Sequence, residues 1–189
     1  PLWQDRNPLV IALDLSYASL SNDVPPSRLL QARAKIAHIL ATRGGGQIAL
    51  VAFADDAYTV SPLTDDAGNV ALFLDALSPD VMPDDGSRVD RAIEESALLL
   101  ERAGFGRGDI LLITDDAESA ADTAAATARR SGYRVSVLGL GTETGGGYRT
   151  RGGRDVTARL DAAALRRVAA AGGGAYAPFW YFAVVGAQA

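Results

Sequence analysis

Two strand-sized apolar runs, each ending on an acidic residue, constrain this chain more than any other feature. Leu9-Val-Ile-Ala-Leu runs straight into Asp14, with Ser16 two residues on, and Asp109-Ile-Leu-Leu-Ile-Thr reaches Asp115-Asp116 about a hundred residues later. Unbroken apolar runs of this length read as strands buried on both faces of a sheet. Open α/β sheets bind ligands at the C-terminal edge of such strands. Two carboxylates and a few hydroxyls meeting at one edge have the chemistry of a hard-cation site of the magnesium type.

The intervening sequence alternates between the two periods. Residues 8–14 read as the first strand, and Pro25-Pro26-Ser27 signals a helix start with Ser27 as N-cap. From Arg28 to about Arg43, Leu29, Ala32, Ile36, Ile39 and Leu40 form an apolar stripe. Arg28, Gln31, Lys35, His38 and Thr42 fall on the opposite, polar face. Gly44-Gly45-Gly46 ends this helix. Residues 47–53 read as a second buried strand, and Ala57–Val60 as a short third at an edge. A helix over about 67–77 follows, capped by Leu63-Thr-Asp-Asp66. Residues 79–86 form an acidic loop with two prolines, after which Ser87 opens a helix with Val89, Ala92, Ile93, Ala97 and Leu100 on its inner face. The strand at 109–114, an alanine-rich helix over about 118–131 and a strand at 133–138 come next. Gly145 to Asp155 reads as an exposed hairpin or mobile loop. A helix over about 161–171 and a sixth strand at 175–179 complete the order, which implies a mainly parallel sheet covered by helices on both faces.

Composition narrows the function classes. A chain of 189 residues, 48% hydrophobic and 22% charged, has enough apolar material for one such domain, and no repeat or linker divides it. The formal net charge of −5 argues against nucleic acid as the main partner. With no cysteine, thiolate zinc sites, disulfides and thiol catalysis are excluded. The apolar runs are too short to span a bilayer. The chain starts at Pro1-Leu-Trp3 without methionine and carries Phe179-Trp-Tyr-Phe-Ala-Val-Val-Gly186 near its end. That segment reads either as a last buried strand or as a membrane-interface stretch of a longer anchored parent.

The ordered stretches Leu13-Asp-Leu-Ser16, Asp23-Val-Pro-Pro-Ser-Arg-Leu29, Leu50-Val-Ala-Phe-Ala54, Pro62-Leu-Thr-Asp65, Leu111-Leu-Ile-Thr-Asp115, Val135–Thr142 and Leu160–Arg167 resemble a von Willebrand factor type A domain. Within that group the chain looks most similar to bacterial membrane-anchored Bat proteins of the aerotolerance type, encoded near MoxR-like ATPases. The resemblance implies a doubly wound α/β fold with strand order 3-2-1-4-5-6, the third strand antiparallel at an edge. It implies a single domain over 1–189, with its core at about 9–179, cut from a longer protein. The parent is expected at a bacterial inner membrane, with the periplasmic side slightly favoured over the cytoplasmic.

The resemblance also implies a metal-ion-dependent adhesion site. Asp14 and Ser16 match its first two ligands, Ser87 stands for its threonine, and Asp115 matches its last aspartate. Ala18 occupies the place of a second serine, and Asp116 that of a glycine. Magnesium, or manganese or calcium, is the expected ion, and an acidic side chain on a partner protein would complete its coordination. Water could fill the vacancy at Ala18. Asp116 could act as an outer carboxylate or repel an acidic partner. The expected function is a non-enzymatic protein-interaction module, working with a MoxR-type ATPase or other Bat-like proteins in envelope assembly or stress tolerance. The alternative is a scaffold domain with a dead metal site, and behind it a metal-dependent phosphohydrolase.

Other motifs point to less. His38, the only histidine, sits on a polar helix face, and no Gly-x-Ser-x-Gly elbow accompanies it. Gly139-Leu-Gly141 lacks the third glycine of a dinucleotide fingerprint. Asp14-Leu-Ser16 has serine where phosphohydrolases of the Asp-x-Asp type carry their acid-base carboxylate. Arg107-Gly-Asp109 reads as the turn into a strand. Arg149, Arg151 and Arg154 form a basic patch, and Asp23, Asp55, Asp56, Asp84 and Asp85 an acidic rim around Asp14.

Overall fold

A computed structural model of the chain describes residues 2–3 and 6–181. One six-stranded sheet organises it: β1 (Leu9–Asp14), β2 (Ile48–Phe53), β3 (Ala57–Thr64), β4 (Gly108–Thr114), β5 (Tyr133–Gly139) and, last in the chain, β8 (Gly173–Pro178). The spatial order is β3-β2-β1-β4-β5-β8. Only β3 runs antiparallel to its neighbour. The order agrees with the sequence expectation. The number of the last strand is higher because β6 (Gly146–Arg149) and β7 (Asp155–Ala158) form a separate antiparallel hairpin.

Side-chain alternation divides the central strands between two cores. Leu9, Ile11 and Leu13 of β1, with Leu50 and Leu111, pack under α1 (Arg28–Thr42) and α2 (Ala67–Ala71). Val10, Ala12, Val51, Ile110 and Leu112 face α3 (Val89–Arg102), α4 (Ser119–Arg130) and α5 (Ala162–Ala171). Both faces are covered, so residues 9–13 of β1, 48–53 of β2 and 110–113 of β4 are apolar at consecutive positions. Each Leu, Ile or Val taken out of water stabilises the fold by roughly 1.5–3 kcal/mol.

Caps set the helix starts. Ser27, Asp66 and Asp161 accept from the backbone N–H of Leu30, Asn69 and Ala164 in α1, α2 and α5. Several boundaries differ from the sequence reading. β3 runs past Pro62 to Thr64, because an edge strand tolerates a residue with no N–H to donate. The helix expected over 67–77 is only the short α2, followed by a 3₁₀ turn at Leu74–Ala76. Gly68 and Asn69 are poor helix formers, and only Val70, Leu74 and Leu77 bury side chains there. Gly173 and Gly174, read as a helix stop, belong to β8; a Cβ on Gly174 would lie 2.1 Å from the Val135 carbonyl of the adjacent strand. Of the aromatic segment at 179–186, Trp180 and Tyr181 are exposed, and residues 182–186 lie outside the described residues, as does Pro1.

The largest correction concerns α1. Arg28 and Lys35, placed by helical periodicity on its polar face, are both buried, while His38 is exposed as expected. Arg28 stands at the first helical position, and side chains there point back past the helix start. It therefore reaches over the sheet edge instead of into solvent.

Candidate metal centre

The pairing Leu13↔Ile113 sets Asp14 beside Thr114 at the C-terminal ends of two neighbouring parallel strands. The strand order reverses between β1 and β4, which opens a crevice at this point. Asp14 is only 3% exposed. Its Oδ1 accepts from the Ser16 N–H at 2.8 Å, and its Oδ2 accepts from Ser87 Oγ at 2.8 Å and Thr114 Oγ1 at 2.7 Å. Three stretches of chain thus converge on one carboxylate, across separations of 73 and 100 residues.

Ser87 arrives there because its loop is pinned from two sides. The Arg88 N–H donates to the Ala54 carbonyl at 2.7 Å, and Gly86 lies so close to Asp55 that a Cβ would stand 2.9 Å from the Asp55 Cα. Ser87 does not cap α3. Arg88 holds that position, and the serine hydroxyl is spent on Asp14.

Asp115 continues from β4, and its Oδ2 accepts from Arg28 Nη1 at 2.6 Å. The same guanidinium grips Asp23 through Nε (2.7 Å) and Nη2 (2.8 Å), and Nη2 also donates to the Ala158 carbonyl at 3.0 Å. Asp23 in turn accepts from the Thr142 N–H and hydroxyl at 2.9 and 2.8 Å. Asp23 is therefore not part of the exposed rim. Asp55, Asp56, Asp84 and Asp85 are exposed, although Asp85 is tied to the Tyr17 N–H at 3.0 Å. Asp116 is exposed and turned back onto the Ala117 N–H at 2.7 Å. Ala18 lies in a 3₁₀ turn, Tyr17–Leu20. Next to it, the Ser19 hydroxyl is buried with no hydrogen-bond partner among the described residues.

Burial governs the two central carboxylates, and Asp115 also feels the charge of Asp14. Burial pushes Asp14 up, against the bonds it accepts from Thr114, Ser16 and Ser87. Burial and then the nearby Asp14 charge push Asp115 up to about 7, even with Arg28 pulling the other way. Asp23 behaves oppositely. Burial opposes its charge, but the bonds from Arg28 and Thr142 prevail and hold it at about 2.

No group of three or more histidine, cysteine or acidic residues gathers among the described residues. The donors here are two carboxylates with the hydroxyls of Ser16, Ser87 and Thr114, all hard oxygens of the kind magnesium, manganese and calcium prefer. A buried carboxylate with a half-buried one beside it gains most from such an ion, so the residues present fit a hard divalent cation. Sequence reasoning missed Thr114, which reads as one more strand residue, and Arg28. The arginine does carry a signal: α1 has a cation and no acid in its first turn, against the preference of a helix N-terminus for negative charge.

A family model described as von Willebrand factor type A domain matches residues 9–118. Among solved structures, BatB from Bacteroides thetaiotaomicron is 32% identical with a TM-score of 0.84, over 91% of this chain and 89% of that one. An aerotolerance-related membrane protein from Bacteroides fragilis is also 32% identical, with a TM-score of 0.83 over 91% and 90% of the two chains. A UPF0353 protein from Mycolicibacterium paratuberculosis is 29% identical over 75% of this chain, which spans about half (46%) of that relative's length. At the level of fold alone, the mussel byssus protein PTMP1, solved with zinc in its adhesion-site motif, is 15% identical with a TM-score of 0.66 over 94% of this chain and 44% of that one. The sheet order, the oxygen-lined edge and these likenesses together place the chain in the von Willebrand factor type A domain family.

Proposed function

We propose that the domain binds a protein partner, without catalysis, through the strand edge bearing Asp14, Ser16, Ser87 and Asp115, with a divalent cation held there. The observation that carries this reading is the buried Asp14 carboxylate, on which hydroxyls from two other segments converge at the mouth of the crevice. Asp14, Ser16 and Ser87 would hold the ion, with Asp115 alongside and the partner's acidic side chain taking an open position. The ion would supply positive charge to that carboxylate. The polypeptide supplies the oriented oxygens and the exposed rim at Asp55, Asp56 and Asp84. Asp116, turned toward its own backbone, stands outside this set.

The likeness to BatB and the aerotolerance-related protein supports one domain of a longer bacterial protein, anchored in the inner membrane and facing the periplasm or the cytoplasm. No helix among the described residues is long and apolar enough to cross a membrane, so an anchor would come from elsewhere in the parent. A MoxR-type ATPase or another Bat-like protein is the proposed partner.

A second reading, a scaffold domain with a dead metal site, draws on Arg28, which already neutralises Asp115, and on Ala18, which has no oxygen to donate. Thermal unfolding with magnesium and manganese, on wild type, Asp14→Asn and Ala18→Ser, separates the two. An ion at a hundred times its Kd adds about 2.7 kcal/mol, or roughly 5–10 °C for a domain of this size. The binding reading expects a shift that Asp14→Asn abolishes and Ala18→Ser enlarges. No shift in wild type at millimolar ion leaves the scaffold reading standing.

A further inference from the structure

We infer that Arg28 is a built-in counter-cation that sets the affinity of this edge for metal, fixing Asp115 when no ion is bound and opposing an ion when one arrives. The inference rests on the metal-site reading above and concerns what tunes that site. Arg28 is 1% exposed, and a guanidinium keeps its charge at any ordinary pH.

Its position is fixed independently of Asp115. Two of its three nitrogens are held by Asp23, at 2.7 and 2.8 Å, and the Ala158 carbonyl takes a further bond at 3.0 Å. Asp23 is in turn anchored by Thr142. The backbone also closes around the group: a Cβ at Gly141 would lie 2.5 Å from the Arg28 Cζ. If Asp115 turned toward an ion, the guanidinium could not follow it and would face the ion as a stationary positive charge. The oxygens of Asp14, Ser16 and Ser87 therefore bind metal less tightly than their arrangement alone would allow.

Asp23 has the reverse influence. It absorbs part of the guanidinium charge, and without it the whole charge bears on Asp115 and the ion. The two partners of one salt bridge thus have opposite effects on metal affinity. A purely structural pair would loosen the site from either side.

Magnesium and manganese are titrated into the full chain by calorimetry and by thermal unfolding, for wild type, Arg28→Gln, Asp23→Asn and the double variant. Arg28→Gln is expected to tighten binding on the order of tenfold, and Asp23→Asn to weaken it by a similar factor. The double variant should bind more tightly than Asp23→Asn alone. Binding by Arg28→Gln where wild type shows none also supports the inference. Wild-type binding that Arg28→Gln fails to tighten overturns it and leaves the metal-site reading intact. Absence of binding in all four proteins overturns that reading and the inference with it. Should Arg28→Gln alone not fold, the double variant set against Asp23→Asn decides: tighter binding by the double variant supports the counter-cation, and equal or weaker binding overturns it.

Discussion

Strong acid should break the pair that Asp23 makes with Arg28. The Asp23 carboxyl has an ordinary value of 3.8 and a value of about 2 in the fold, because bonds from Arg28 and Thr142 outweigh the burial that opposes its charge. A lowered value means that the folded state releases the proton more readily than the unfolded state. Its stabilisation is therefore present above 3.8 and lost as pH falls through 2. Linkage converts the difference into about 2 kcal/mol at neutral pH, about 1 kcal/mol at pH 3 and almost none at pH 2. The Asp23 side chain is 4% exposed but the residue as a whole is half-buried, so these figures are upper values that solvent screening reduces. Asp23→Asn keeps the shape and removes the charge. Urea unfolding followed by circular dichroism, at intervals from about pH 6 down to pH 2, measures the gap between wild type and variant. The gap should shrink by up to about 2 kcal/mol across that range, whatever constant offset the amide introduces. A gap as wide at pH 2 as at pH 6 would refute the assignment of this acid sensitivity to the Asp23–Arg28 pair.

Two further outcomes follow from neighbouring groups. Asp115 lies at about 7 in the fold, so the folded state takes up its proton first, and stability present below 3.8 is lost as pH rises through 7. Metal-free protein should therefore gain stability between pH 8 and 5, and Asp115→Asn should flatten that rise; an unchanged slope in denaturant titrations would count against it. Gly141→Ala places a methyl group 2.5 Å from the Arg28 Cζ on a backbone of φ 116°. The left-handed backbone costs about 1–2 kcal/mol and the crowding about 1–3, so a loss of roughly 2–5 kcal/mol is expected in chemical unfolding. Gly45→Ala, at φ 125° with nothing within 4 Å, is the control and should cost only the backbone part.

Much of this architecture is legible in the chain because both faces of the sheet are covered. That makes each central strand a continuous apolar run, and the residue that breaks the run, Asp14 or Asp115, stands at the edge. The hairpin at 146–158 is announced by its glycines, but the reach of Arg151 is not. That side chain bonds the Met82 and Pro83 carbonyls at 2.7 Å and sits over the Tyr17 ring at 5.6 Å, tying the hairpin to the acidic loop. Periodicity misassigned Arg28 at the start of α1 and Lys35 in its middle. Lys35 apart, a helical wheel describes the middle of α1, where flanking turns decide which face is buried. At its first position the neighbours are the sheet edge and two loops, and Arg28 follows those. Thr114 escaped for a similar reason: its partner is set by the register between β1 and β4, which only the pairing of distant segments reveals.

The edge also draws together distant parts of the fold. Asp14 takes its hydroxyls from Ser87 and Thr114, and Asp115 takes its cation from Arg28, across 73, 100 and 87 residues of chain. None of these contacts survives unless β1, β4, α1 and the loop before α3 are all in place. A carboxylate pair this buried would normally destabilise its surroundings. Arg28, held in place by Asp23, offsets that repulsion internally, which lets the crevice hold its shape on its own. On the proposed reading, the same compensation would limit how strongly an ion binds there. A site assembled without its ligand must spend part of its negative charge on holding itself together, and only the remainder is available for recognition.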